Sequence, residues 1–138
     1  MRRTRLTLVL LGFAFTCCGA SAGRSEPLRI ALVIANGQYA NLPATARCAP
    51  AAAAARDGLR TKGFEVIERS NLGRGEFDTA IGQLARRVAA SPPAVAVLYF
   101  CGYAAEFNNR SFLLPVSAVL SLDNDLLTQG IQIGRAHV

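Results

Sequence analysis

The chain has 138 residues, enough for one domain; 51% of them are hydrophobic and 17% charged, which excludes a disordered chain. The formal net charge of +6 overstates the basicity of any folded part: of the 15 basic residues, Arg2, Arg3 and Arg5 sit in the first five positions, leaving 12 against 9 acidic, or +3. The remaining basic residues are scattered, with no aromatic interleaving and no nucleic-acid motif, so a nucleic-acid partner is not expected.

Residues 1–22 read as a secretory signal. MRRTR is the positive start, LTLVLLGFAF the apolar stretch, and Ala20-Ser21-Ala22 the small residues of a cleavage site after Ala22. The apolar stretch is too short for a stable membrane anchor. Cys17 and Cys18 raise a lipoprotein alternative, which Phe15-Thr16 fits poorly. The expected mature domain is then 23–138, in an oxidising, secreted or periplasmic setting of a bacterial kind. It keeps two cysteines, Cys48 and Cys101, and one histidine, His137. Two thiols are too few for a disulfide scaffold or a zinc site, so neither a metal nor a cofactor is expected.

The first predicted element is LRIALVIA, residues 28–35. An apolar run without alternation suits a strand buried on both faces. Asn36-Gly37 ends it and opens a polar loop. A helix is predicted over 50–62, with Pro50 in its first turn, five consecutive alanines, and Gly63 after its end. FEVIE, residues 64–68, is a second strand, and 71–75 a turn. The next helix carries Phe77, Ile81, Leu84 and Val88 on one stripe, with Glu76 and Asp78 at its start and Arg86-Arg87 near its end. Ser91-Pro92-Pro93 stops it. A third strand over 94–101 is apolar throughout, and 111–114 is a fourth, closed by Pro115. This order predicts an α/β layered fold with a mostly parallel sheet. The pattern alone fits a flavodoxin-like ligand-binding domain as well as any other fold of this class.

Three segments narrow it: LRIALVIANGQYAN, LRTKGFEVI, and AVAVLYFCGYAAEFNNRSFLLPV. In this order and spacing they resemble the caspase and metacaspase family of cysteine peptidases, over residues 28–127. The resemblance implies a three-layer caspase-like fold with sites at the carboxyl ends of the first and third strands. It implies cysteine-type endopeptidase activity for intact members. The family's common bacterial turn is a small residue followed by Gly-His-Gly, whose His is the base; here the turn reads Cys101-Gly102-Tyr103-Ala104. The family's Asn-Asp-Ala at the first helix, whose Asp serves specificity for basic side chains, aligns with Pro50-Ala51. RSFLLPV aligns with its Tyr-Leu-Leu-Pro-Val-Asp. The nucleophile's Asp-Ala-Cys follows a later strand, and Val138 ends the sequence before one, so a chain truncated at its C-terminus is expected.

A phenol with a pKa of about 10 is a poor base at neutral pH, where imidazole at about 6.5 serves. The expectation is therefore a secreted pseudopeptidase that binds a peptide or protein partner. The competing expectation is an endopeptidase whose nucleophile lies beyond this sequence. Tyr103 is read as a half-buried aromatic with its hydroxyl bonded to a loop, or as a ligand contact. Cys101 is read as packing rather than a nucleophile. In the topology that the resemblance implies, Cys48 and Cys101 share one edge of the sheet, which makes a disulfide between them an expectation. A homodimer through an exposed sheet edge is a further one.

Overall fold

The computed structural model describes residues 26–134. The predicted signal, its Ala22 site and His137 lie outside the described residues.

Three parallel strands form the central sheet in the order β2-β1-β3: β1 (Leu28–Ala35), β2 (Glu65–Ser70) and β3 (Ala94–Cys101). Helix α1 (Cys48–Thr61) links β1 to β2, and α2 (Arg74–Ala89) links β2 to β3. The nearly continuous apolar run of β1 has the predicted cause: Ile30 to Ile34 are 0–1% exposed in the middle of the sheet. Alternate side chains serve opposite layers. Ile30, Leu32 and Ile34 pack with Phe77, Ala80 and Leu84 of α2, with Ile81 and Val88 of the predicted stripe beside them. Val33 and Ala35 share the other side with Ala49 and Ala52 of α1. The architecture is thus a three-layer α/β fold of the expected class. Gly63 ends α1 with a φ of 77°, the left-handed conformation that glycine adopts without steric cost.

Several boundaries differ from the expectation. α1 begins at Cys48, two residues before Pro50, which fits because proline lacks only an amide that the first turn leaves unpaired anyway. β2 runs to Ser70, since its ladder with β1 continues to the pair Ala35–Ser70. The apolar β3 is not buried on both faces. It is an edge strand among the described residues, and Val95 and Leu98 are 45% and 41% exposed.

A second, antiparallel sheet was not expected from the sequence. It has the order β4-β5-β6, with β4 (Ala104–Phe107), β5 (Arg110–Leu113) and β6 (Ile131–Ile133), and the short α3 (Asp125–Gln129) precedes β6. Asn108 and Asn109, both at positive φ, make the two-residue hairpin between β4 and β5. Asparagine tolerates that conformation and the resulting turn matches the twist of the strands. Residues Ala104–Phe107 are therefore a strand. Phe112 and Leu114 carry this sheet's core with Ala118 and Leu126.

Candidate functional site at the carboxyl edge of the sheet

In open α/β sheets the carboxyl ends of the strands leave a crevice where connections run in opposite directions. Here that point lies between β1 and β3, and polar backbone from four chain segments converges on it. The Asn36 amide continues the ladder by donating to the Cys101 carbonyl at 2.8 Å. The Asn36 side chain is fully buried. Its Oδ1 accepts from the Leu72 amide at 2.9 Å, and its Nδ2 donates to the carbonyls of Leu72 and Leu114 at 3.4 and 3.3 Å. Asn71, at a φ of 52°, accepts at Oδ1 from the amides of Gly37 and Gln38, each at 3.0 Å. Two asparagines thus tie the loop after β1 to the loop after β2.

Tyr39 ties the same loop to the turn after β3. Its hydroxyl accepts from the Tyr103 amide at 2.8 Å and donates to the Leu114 carbonyl at 3.1 Å. Burial holds the Tyr39 phenol above its ordinary pKa, so it stays neutral and keeps its donated proton. The Leu114 amide in turn donates to the Tyr103 carbonyl at 2.9 Å. The backbone of Tyr103 is fixed on both sides.

The side chain of Tyr103 departs from the expectation only at its hydroxyl. Its ring is half-buried, edge-on to Tyr39 with centroids 4.9 Å apart and planes at 74°. Its hydroxyl, expected to bond a loop, has no hydrogen-bond partner among the described residues; the bonded phenol is that of Tyr39. Gly102 is required by space alone. A Cβ there would lie 2.4 Å from the Tyr39 hydroxyl and 2.6 Å from Cζ of Phe100. Gly102→Ala is expected to lower stability by about 1–3 kcal/mol, the range for overpacking, because Tyr39 must leave both of its partners. Urea unfolding checks this, and an unchanged midpoint would mean that the turn relaxes freely.

Cys48 and Cys101 are joined in a disulfide, with Cα atoms 5.2 Å apart. It clamps the first residue of α1 to the last residue of β3. Ala51 follows one turn later on α1, half-buried and without charge. The structure therefore brings Cys48, Ala51, Cys101, Gly102 and Tyr103 to one edge. Beside them, between α1 and β2, lies a cavity of about 430 Å³ lined by Val33, Ala35, Ala49 and Ala52 and by Glu68, Arg69 and Ser70 of β2. A larger cavity of about 730 Å³ lies away from these residues, along the β4–β5 hairpin and β6. Among the described residues no group of three or more His, Cys, Asp or Glu side chains is placed to hold a metal ion.

The model of the caspase domain matches residues 28–134, well over half of the chain. The chain belongs to the caspase-domain family. No curated protein matches it. The match takes in both sheets of the caspase domain and every element from β1 to β6. Sequence reasoning placed the two loops of this edge but missed the residues that organise them: Asn36, Tyr39 and Asn71. The Asn-Gly after a buried strand marked a turn, and nothing in the sequence marked a buried side chain bonded to segments 36 and 78 residues away.

Proposed function

We propose that this caspase domain is secreted and catalytically silent, and that it works by binding a peptide or a protein partner at the carboxyl edge of its sheet. The turn Cys101-Gly102-Tyr103 carries the reading. Peptide hydrolysis by this family's chemistry needs a thiolate and a base that titrates near neutral pH. At this edge both sulfurs are spent on each other, and the side chain aligned with the family's His is a phenol. Ala51 adds that no carboxylate stands at the position aligned with the family's pocket for basic side chains. What the edge does keep is a rigid frame beside a cavity walled by alanines on the α1 side and by Glu68, Arg69 and Ser70 on the β2 side, which suits recognition rather than turnover.

The purified protein is expected to leave peptides with Arg, Lys or Asp before the scissile bond uncut. Tyr103→His is expected to leave them uncut as well, because Cys101, two residues away, is held in a disulfide rather than free as a thiol. Turnover that survives clean purification and vanishes in Tyr103→Phe would overturn the silent reading. For export, the protein recovered from outside the cytoplasm should begin at Gly23; recovery of an intact Met1 terminus from the cytoplasm alone would overturn secretion.

A further inference from the structure

The Cys48–Cys101 bridge is asymmetric. Cys48 is buried at 3% exposure, whereas Cys101 keeps contact with solvent at the rim of the sheet. A reductant's thiolate needs access to only one sulfur, and Cys101 is the more exposed residue of the pair. The sulfur that departs is then Cys48, the first residue of α1. The N-terminus of a helix carries partial positive charge, Arg47 precedes it, and the first turn of α1 holds no acidic residue. A leaving thiolate is favoured there, and a favoured leaving group speeds thiol–disulfide exchange.

The two halves of the clamp also differ in what else holds them. The Tyr103 turn keeps its bonds to Tyr39 and Leu114 without the bridge. The first turn of α1 has no side-chain cap, and Pro50 supplies no amide. Ala49 and Ala52 there line the cavity of about 430 Å³, and the Cys48 amide donates to the Thr45 carbonyl at 3.1 Å. Opening the bridge therefore loosens α1 and spares the turn.

We propose that Cys48–Cys101 is a redox latch: a dithiol reductant opens it in the folded protein, frees the first turn of α1 and widens the cavity that Ala49 and Ala52 wall. One thiolate of the dithiol attacks Sγ of Cys101, the S–S bond breaks, and Cys48 leaves as a thiolate that takes up a proton. The second thiol of the dithiol then displaces Cys101 from the mixed disulfide. The reductant ends as a disulfide, and Cys48 and Cys101 as two thiols, with two electrons and two protons transferred. The latch stands on this geometry and does not require the binding reading.

The test treats the whole oxidised protein with dithiothreitol in the absence of denaturant. Freed thiols are trapped by alkylation and located by mass spectrometry, and amide exchange is followed in both redox states. Both thiols should appear faster than the protein globally unfolds. On reduction, exchange protection at Ala51 and Ala52 should fall at least tenfold more than at residues 30–34, and reoxidation should restore it. Arg47→Glu should slow opening by about threefold, as expected for reversing one charge at a helix start. Opening only at the global unfolding rate, or an equal loss of protection in α1 and β1, would make the bridge a structural staple and overturn the latch.

Discussion

The Cys48→Ala/Cys101→Ala double variant should fold to the same secondary structure as the oxidised protein but with stability lower by about 4 kcal/mol. The bridge spans 53 residues. In the chain-entropy treatment, a closed loop of that length restricts the unfolded chain by roughly that amount. Typical domains hold about 5–15 kcal/mol in all, so the loss is a large share of the total. The effect acts mainly on the unfolded ensemble, which is why the folded spectrum should persist. By linkage the fold favours the closed bridge by the same free energy, so the closed latch is the resting state under oxidising conditions. Urea unfolding of wild type and variant, both without reductant, measures the difference. A loss under about 1 kcal/mol would show that the unfolded chain is already restricted near these positions.

The layered fold was legible because its central elements are extreme. β1 is apolar at nearly every position, and only a strand covered on both faces has use for that; Ile30, Leu32 and Ile34 meet α2 while Val33 and Ala35 meet the α1 side. The stripe Phe77, Ile81, Leu84 and Val88 could satisfy only a helix lying on that sheet. β3 shows where such reasoning ends. Its apolar run is as continuous as that of β1, but a run of residues reports what a strand tolerates, and its neighbours decide what it buries. With α1 and α2 centred over β1, Val95 and Leu98 stay exposed. The second sheet was hidden for another reason. Ala104–Phe107 is four residues long, with two alanines and a glutamate, and becomes a strand only because Asn108 and Asn109 turn the chain back onto β5.

At the site, the family motifs located the edge, and the chemistry of its frame stayed out of sight. Tyr103 and Ala51 stand out against a pattern. Tyr39 does not, because its role is a pair of bonds to Tyr103 and Leu114 that are 64 and 75 residues away in the chain. Alternation and capping rules act over a few residues, so they cannot see such closures. The same distance in sequence is what lets one side chain hold three loops together, and this makes Asn36 the most sensitive test of the frame.

Asn36→Asp should be tolerated near pH 4 and strongly destabilised at pH 7. The buried side chain accepts from the Leu72 amide through one atom and donates to the Leu72 and Leu114 carbonyls through the other. A protonated aspartic acid keeps the acceptor and supplies one O–H in place of the two amide N–H groups, so it serves one of the two carbonyls, each of which also has another donor. An ionised one sets a negative charge against two carbonyl oxygens in a site closed to water, so its folded pKa must rise above the unfolded value of about 3.9. A group whose folded pKa is raised holds its proton more tightly in the fold, so no penalty exists below the unfolded pKa. The penalty then grows by about 1.4 kcal/mol per pH unit until the folded pKa is passed. By pH 7 it reaches on the order of 4 kcal/mol if the folded pKa lies that high. Asn36→Ala separates this from simple loss of packing. It strands the Leu72 amide, while the Leu72 and Leu114 carbonyls keep donors from the Val116 amide and the Tyr39 hydroxyl. Its cost, about 1–3 kcal/mol for one orphaned buried donor, should not vary between pH 4 and 7. Urea midpoints of both variants and wild type across that range decide the matter. Parallel pH profiles for Asp and Ala would mean that water reaches Asn36 and that the frame is looser than its hydrogen bonds imply.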